Sequence, residues 1–220
     1  MFEYILFDLD GTLTDPKIGI TSSVQYALRA FGIDEPNLDK LEPFIGPPLA
    51  DSFMEFYGFT PEQANQAIEK YRERFDGQGI YENELYEGID KMLFALKEKK
   101  KILAIASSKP TPLVLRVLEH FDIRQYFDYI VGSELDGRRS KKEEVVAEAL
   151  RLMLPASFDV QEKKERVAMV GDRKFDIEGA KAFGLTSIGV SFGYASEGEL
   201  EAAGADYIVD TVSELKELLL

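Results

Sequence analysis

The stretch FDLDGTLTD, from Phe7 to Asp15, places two carboxylates, Asp8 and Asp10, where an apolar segment stops and a Gly11 turn begins. Residues 1–9 are mostly apolar and have the length of a buried parallel strand, whose interior does not accommodate an unpaired Asp. The carboxyl end of such a strand is the place where an α/β sheet exposes groups to a ligand. Although Asp-Gly alone is typical of a turn, the acidic pair therefore predicts a chemical role.

Five other short apolar segments also have the character of strands, and helical stretches fill most of the gaps between them. This alternation predicts an α/β protein with a doubly wound parallel sheet. The predicted strands are Tyr4–Leu9, Ile102–Ala106, Tyr129–Val131, Val167–Val170, Ser187–Val190 and Tyr207–Val209.

The region between the first two strands has a different pattern, because three helical segments follow one another without a convincing strand. These segments are Ile20–Phe31, Pro48–Tyr57 and Pro61–Phe75, the last with a good helix start at Thr60-Pro61. We therefore predict a core domain of residues 1–15 and 86–220, and an inserted all-helical domain of residues 16–85.

Two later strands also end in polar residues. In VAMVGDRKFDIEGA, from Val167 to Ala180, the strand ends in Gly-Asp172, and Asp176 follows at the start of a helix. Turn formation alone does not account for this pattern. In KILAIASSKP, the strand ends in Ser107 and Ser108, and Ser108 considered alone is more typical of a helix N-cap.

The run Ser140-Lys141-Lys142-Glu143-Glu144 has a capping-box pattern and predicts the start of a helix at Ser140. A charged run of this kind is usually a solvated helix face. It therefore indicates chemistry only in combination with the other motifs.

The composition of the chain narrows the classes of molecule that it is expected to bind. The chain has 220 residues, a formal net charge of −14, one histidine and no cysteine. The acidic balance argues against nucleic acid and anionic membrane surfaces as partners, and no apolar run is long enough to span a bilayer. We expect a soluble, cytoplasmic monomer or weak homodimer that binds small molecules.

The order DLDGTLTD, a strand ending in Ser107, Lys142, and GDRKFD resembles the four motifs of the haloacid dehalogenase superfamily of phosphohydrolases. It is most similar to the branch with phosphoglycolate phosphatases and 5′-nucleotidase-like proteins, and the likeness covers essentially the whole chain. The resemblance implies a Rossmann-like core with an inserted α-helical cap, and a small phosphorylated metabolite as the substrate.

The resemblance also implies an Mg²⁺ ion held by the Asp8 and Asp172 carboxylates and by the backbone carbonyl of Asp10, with Asp176 supporting this shell or orienting Lys142. Electrostatics also favour a cation at this position, because two like unit charges 4 Å apart repel by about 4 kcal/mol at an effective dielectric constant near 20. Something positive must therefore lie among the carboxylates, and Mg²⁺ favours oxygen ligands.

By the same resemblance, Asp8 is the nucleophile and Asp10 is the general acid and base. The phosphoryl oxygens are expected to bind four residues, namely Gly11, Ser107, Ser108 and Lys142. Lys141 remains an alternative to Lys142, since the motif assigns this lysine only to within one residue. Two further cations, Lys17 and Lys109, are expected to flank the cleft, although exposed lysines are mostly solvated.

Two other functions compete with phosphate ester hydrolysis. A phosphomutase on the same scaffold would transfer the phosphoryl group to a sugar, and a two-component receiver domain would hold it without turnover. The receiver is disfavoured because its phosphorylated Asp lies well downstream of the N-terminal acidic pair. Phosphoglycolate, nucleoside monophosphates, sugar phosphates and pyrophosphate all remain candidate substrates.

Overall fold

The computed structural model describes residues 2–220, and the chain divides into two compact units. One unit comprises Met1–Thr14 and Leu85–Leu220, and the other comprises Asp15–Glu84. Both boundaries lie one residue before the predicted positions. A two-stranded sheet of Thr14–Asp15 and Glu84–Leu85 includes both connections. These two strands were not predicted from the sequence, because a strand of two residues has no detectable periodicity.

The larger unit contains a six-stranded sheet in which every neighbouring pair is parallel. Its strand order is β5-β4-β1-β6-β7-β8. The predicted doubly wound α/β fold is therefore confirmed. The strands of the whole chain are β1 (Tyr4–Phe7), β2 (Thr14–Asp15), β3 (Glu84–Leu85), β4 (Ile102–Pro110), β5 (Tyr129–Ser133), β6 (Val167–Gly171), β7 (Thr186–Val190) and β8 (Tyr207–Val209).

Ten α-helices and four short 3₁₀ segments connect these strands among residues 2–220. None of these helices combines the length and apolar character that crossing a membrane requires. The helices are α1 (Lys17–Ala30), α2 (Leu49–Tyr57), α3 (Pro61–Phe75), α4 (Ile89–Glu98), α5 (Thr111–His120), α6 (Lys142–Met153), α7 (Lys163–Arg166), α8 (Lys174–Ala182), α9 (Glu199–Ala203) and α10 (Val212–Leu219).

The central strand β1 anchors the core of the larger unit. Its Ile5, Leu6 and Phe7 side chains are fully buried. Since successive side chains of a strand point to opposite faces, Leu6 joins a cluster with Val146 of α6, while Phe7 lies on the other face. Phe7 meets Phe127 there in an edge-to-face contact of 6.4 Å. This burial makes β1 a rigid base for the residues that follow it.

The smaller unit has its own core, built by α1, α2 and α3. Phe44 and Phe53 are buried and pack with ring centroids 5.0 Å apart, and the half-exposed Phe56 lies 5.5 Å from Phe44. Helix α3 begins as predicted, because Thr60 and Gln63 form a reciprocal capping box. The unit therefore holds a hydrophobic cluster independent of the sheet.

A close backbone contact also holds the smaller unit together. A Cβ atom on Gly19 of α1 would lie 1.9 Å from the carbonyl oxygen of Gly79. Beside this contact, the Ser23 hydroxyl donates to the Gly19 carbonyl at 2.6 Å and accepts from Arg74 at 3.1 Å. Only glycine permits this approach at position 19.

We expect Gly19→Ala to destabilise the smaller unit by more than about 2 kcal/mol, because overpacking against rigid backbone forces α1 away from Gly79. Thermal unfolding followed by circular dichroism measures this. Gly77→Ala is the matched control, since a Cβ at that position meets nothing within 4 Å. Equal melting temperatures for the two variants would contradict the proposed backbone contact.

Candidate active site

Two adjacent parallel strands bring the acidic motifs together. In the β1–β6 register, Phe7 pairs with Val170, and the Asp8 N–H donates to the Val170 carbonyl at 2.9 Å. Asp8 therefore follows β1 at the same edge of the sheet where Asp172 follows β6. Both side chains are buried, Asp172 completely. Aligned strand ends, rather than proximity in sequence, produce this pair.

Asp176 completes a buried acidic cluster. Carboxylate oxygens of Asp8, Asp172 and Asp176 all lie within 4.8 Å of one another. Asp176 stands in the first turn of α8 and accepts a hydrogen bond from the Arg173 N–H at 3.1 Å. The three acidic residues predicted from GDRKFD and DLDGT thus share one site.

Lys142 supplies the positive charge of this cluster. Its ammonium lies 2.9 Å from Asp8 Oδ1 and 2.7 Å from Asp176 Oδ1, and donates to the Ala106 carbonyl at 3.0 Å. The neighbouring Lys141 is exposed. Of the two lysines that the motif left open, the structure brings Lys142 to the aspartates.

The N-cap expected at Ser140 is wrong by one residue. Helix α6 begins at Lys142, with Lys141 at the N-cap, and the Lys141 N–H donates to Glu144. Lys142 can face the sheet because it is the first helical residue. A Cβ on Gly179 of α8 would lie 2.9 Å from Lys142 Cγ, so the absence of a side chain there gives this lysine room.

Burial and like charge raise proton affinity in the cluster. Burial raises the pKa of Asp172 well above its usual value, and the negative charges of Asp176 and Asp8 add to this. Burial also raises the pKa of Asp176 to about 6, although Lys142 opposes the shift. For Lys142, burial favours the neutral amine, but Asp176 and Asp8 outweigh it and raise the pKa.

The donor set fits a hard divalent cation. One ammonium offsets only part of the charge of three buried carboxylates, and oxygen ligands are those that Mg²⁺ prefers. Asp176 is engaged by Lys142 and the Arg173 N–H. Asp8 and Asp172 are therefore the carboxylates better suited to ligate a metal, with Asp176 holding Lys142.

Two glycines make room for the Asp172 carboxylate. Gly11 has a φ of +83°, and a Cβ there would lie 2.2 Å from Asp172 Oδ2. A Cβ on Gly193 would lie 2.3 Å from Asp172 Cβ and 2.4 Å from the Gly11 carbonyl oxygen. Asp172 also accepts a hydrogen bond from the Tyr194 N–H at 2.8 Å. Its orientation is thus fixed on several sides.

The remaining predicted residues lie at the ends of β1 and β4. Asp10 is largely buried, and both its carboxylate oxygens accept from Lys109, at 2.8 and 2.6 Å. Ser107 is buried and its hydroxyl accepts from the Lys109 N–H at 3.3 Å. Ser108 is half-buried in the same segment.

Lys17 belongs to the smaller unit. Its ammonium lies 2.7 Å from Asp39 and also contacts Glu42, both within the smaller unit. These contacts raise the pKa of Lys17, chiefly through its hydrogen bonds to the two carboxylates. Lys17 thus forms a local ion pair within the smaller unit, and its expected place beside the cleft stays a prediction.

Sequence analysis missed the loop after β7. Besides Tyr194, this loop contains Ser196, whose N–H and hydroxyl donate to Glu199 at 3.1 and 3.0 Å. Glu199 also accepts from Arg173 at 2.9 Å, which ties the loop to the Asp172 motif. Burial opposes ionisation of Glu199, but the Arg173 hydrogen bond and two backbone N–H groups lower its pKa to about 2. The sequence did carry a signal for this loop, because SFGYAS directly follows a predicted parallel strand, at the edge where such sheets bind ligands.

Comparison with known proteins gives a consistent result. The family model for haloacid dehalogenase-like hydrolases matches residues 5–190. The chain is 45% identical to a 5′-nucleotidase of Pseudomonas aeruginosa, over 98% of this chain and 94% of that protein. It is 36% identical to the tyrosine-protein kinase PtkA of Mycobacterium tuberculosis, over 99% of this chain and 72% of that protein.

A solved structure extends the likeness to the fold. The crystal structure of a predicted phosphatase from Clostridium acetobutylicum matches with a TM-score of 0.92 and 46% sequence identity. The match covers 100% of this chain and 98% of the other. The resemblance inferred from the motifs is therefore confirmed.

The charge cluster predicts an unusual pH dependence of stability. Because the pKa of Asp172 is raised on folding, its protonated form stabilises the fold fully below the unfolded pKa of about 4. That stabilisation is lost as pH rises through the folded pKa. We expect Asp172→Asn to melt at least about 2 °C above the wild type in EDTA at pH 8, with a smaller difference near pH 4.

Differential scanning fluorimetry across this pH range measures the effect. Replacement of the exposed Asp90 by Asn is the control, and should leave the pH profile unchanged. A wild type and an Asp172→Asn variant with parallel pH profiles would show that Asp172 carries no buried charge.

Gly193→Ala should weaken metal binding, because its Cβ forces Asp172 or the Gly11 turn to move. Changes to groups that orient metal ligands typically cost about 10–100-fold in affinity. Titration of the metal-free protein with Mg²⁺, followed by the rise in melting temperature, measures the affinity. Gly77→Ala is the control, and an unchanged Mg²⁺ affinity in Gly193→Ala would contradict the proposed role of the close contact.

Proposed function

Because this chain belongs to the haloacid dehalogenase-like hydrolase family and is a phosphatase of that family, we propose that it hydrolyses a small phosphate monoester with Mg²⁺ through an aspartyl phosphate. The observation that carries the proposal is the buried cluster of Asp8, Asp172, Asp176 and Lys142. Such a set can both bind a cation and present a nucleophilic carboxylate.

Asp8 is the proposed nucleophile. It directly follows the fully buried β1 and contacts the Lys142 ammonium at 2.9 Å, so its carboxylate has a defined orientation. A carboxylate oxygen of Asp8 attacks phosphorus, and the bond from phosphorus to the ester oxygen breaks. Attack by water on the same phosphorus then breaks the bond to Asp8 and releases inorganic phosphate.

The residues suited to hold Mg²⁺ are the Asp8 and Asp172 carboxylates, with the Asp10 backbone carbonyl as a third ligand. When bound, the metal would offset the negative charge that phosphate brings to the carboxylates. Asp176 contributes by holding Lys142 at 2.7 Å. The glycine contacts around Asp172 support this assignment, since they restrict its orientation.

Asp10 is the proposed proton donor and acceptor. In the first step it gives a proton to the departing alkoxide, and in the second it takes a proton from the attacking water. A halide leaving group needs no such proton. The carboxylate at position 10 therefore favours phosphate esters over haloacids.

Four groups are proposed to bind the transferring phosphoryl oxygens. They are the Ser107 hydroxyl, the Lys142 ammonium, and the backbone N–H groups near Gly11 and Ser108. Hydrogen-bond donors fixed in place before the reaction stabilise developing negative charge without reorganisation. The hydroxyl of Ser107 accepts from the Lys109 N–H, which leaves its own proton free to be donated.

We propose nucleoside 5′-monophosphates as the first substrate class to test. The 5′-nucleotidase of Pseudomonas aeruginosa is 45% identical and aligns over 98% of this chain. Phosphoglycolate stays a candidate from the motif resemblance. The cytoplasmic location and the monomeric or weakly dimeric state stay predictions.

Transfer to an acceptor other than water is the second candidate function. The relative named tyrosine-protein kinase PtkA, at 36% identity, supports it. An aspartyl phosphate on Asp8 could pass its phosphoryl group to a hydroxyl other than that of water. Release of inorganic phosphate in the absence of an added acceptor distinguishes hydrolysis from this alternative.

The test is a phosphate-release assay with Mg²⁺ across nucleoside 5′-monophosphates, phosphoglycolate, sugar phosphates and pyrophosphate, ranked by kcat/KM. We expect release that EDTA abolishes and that Asp8→Asn lowers by at least about 10³-fold, because the variant lacks the nucleophile. Asp90→Asn is the matched control and should retain full activity.

Retention of substantial turnover by a folded Asp8→Asn variant would refute the nucleophile assignment. Activity that persists in EDTA would refute the proposed metal dependence. If no inorganic phosphate is released and an added sugar or tyrosine acceptor becomes phosphorylated instead, the transferase alternative replaces hydrolysis.

A further inference from the structure

Lys109 and Asp10 form a second buried ion pair, separate from the one between Lys142 and Asp8. Both Asp10 oxygens accept from the Lys109 ammonium, at 2.8 and 2.6 Å. Only 6% of the Lys109 side chain and 11% of the Asp10 side chain are exposed. Burying two charges has a desolvation cost that their mutual attraction often does not offset. A functional role therefore explains this ion pair better than a contribution to stability does.

An irregularity in β4 brings Lys109 to this position. Ala106 pairs with Val131 of β5 and Pro110 pairs with Ser133, so β4 advances four residues where β5 advances two. Such a bulge redirects side chains that a regular strand would alternate between faces. Within this irregular segment the Lys109 N–H donates to the Ser107 hydroxyl at 3.3 Å, while the Lys109 ammonium reaches Asp10.

Gly132 of β5 permits the irregularity. A Cβ on Gly132 would lie 2.3 Å from the Lys109 carbonyl oxygen and 2.7 Å from the Thr111 nitrogen. The Gly132 N–H also donates to the Thr111 hydroxyl at 3.0 Å, which ties β5 to the first residue of α5 just beyond the bulge. The backbone of Lys109 is thus fixed by a neighbour that tolerates no side chain.

We propose that Lys109 is the positioning residue for Asp10, holding its carboxylate in the orientation from which it exchanges a proton with the leaving group. This proposal rests on the proposed function. A carboxylate has about four lone-pair sites on its two oxygens, so contact with Lys109 leaves Asp10 able to carry the transferred proton. The proton moves from Asp10 to the ester oxygen as that oxygen leaves phosphorus.

A leaving-group comparison tests this role. The 5′-hydroxyl of a nucleoside needs a proton as it departs, whereas p-nitrophenolate leaves readily without one. Since general acid catalysis contributes about 10²–10⁴-fold, we expect Lys109→Met to lower kcat/KM for 5′-AMP by about 10²-fold or more. The loss for p-nitrophenyl phosphate should be about 10-fold or less.

A double-mutant cycle separates positioning from direct binding. Asp10→Ala should show the same selective loss, and adding Lys109→Met to it should change the ratio of the two kcat/KM values by less than about 2-fold, because a positioning residue acts only through its partner. Lys109→Arg should recover part of the 5′-AMP activity. Lys91→Met, on the exposed face of α4, is the control and should match the wild type.

Gly132→Ala provides a second route to the same position. It leaves both side chains of the pair intact but displaces the Lys109 backbone, so we expect the same selective loss for 5′-AMP. Melting temperatures of all variants identify any that fail to fold, and the more conservative Lys109→Arg variant then decides the outcome.

Three results would overturn the proposal. Equal losses for both substrates with a raised KM would show that Lys109 binds the phosphate itself. Wild-type kinetics in Lys109→Met would show that the pair has no part in catalysis. A further selective loss on adding Lys109→Met to Asp10→Ala would show that Lys109 acts without Asp10. Failure of the proposed function is distinct, because the wild type would then release phosphate from neither ester.

Discussion

The contact of the Lys142 ammonium with Asp8 and Asp176 is the interaction on which the rest of the site depends. Three carboxylates cannot share a buried space without opposing charge, and Lys142 is the buried cation within bonding distance of two of them. Such ion pairs rarely add net stability. The fully buried core around β1 offsets their cost, and the three carboxylates form a cluster that could hold a metal ion.

The site is assembled from strand ends, and each strand contributes a different chemical group. Asp8 and Asp10 follow strand β1, Ser107 and Lys109 lie in β4, and Asp172 follows β6. The two acidic residues that follow β1 form separate ion pairs. Asp8 pairs with Lys142, and Asp10 pairs with Lys109. This division supports distinct roles for two carboxylates that stand only one residue apart in sequence.

Much of the fold followed from the sequence, because its signals are local. Every predicted strand of the large sheet is present, and α3 has its predicted bounds of Pro61–Phe75, since apolar runs and capping residues act over a few positions. The predicted end of β4 at Ala106 was wrong, because the strand continues through a bulge to Pro110. A bulge depends on the partner strand, here on Gly132, and nothing in KILAIASSKP reveals it.

The sequence by itself singled out the candidate residues, because Asp8, Asp10 and Asp172 stand at or just beyond the ends of predicted strands and Asp176 stands at the start of a helix. Only the tertiary structure decided how they are paired. It brings Lys142, and not Lys141, to Asp8, and it pairs Lys109 with Asp10. The Tyr194 N–H donates to Asp172, and Gly193 lies close to the same side chain. The physical reason is that local hydrophobicity determines where strands occur. Which charged side chains pair with one another depends instead on the register of neighbouring strands and on close backbone contacts between residues far apart in the chain.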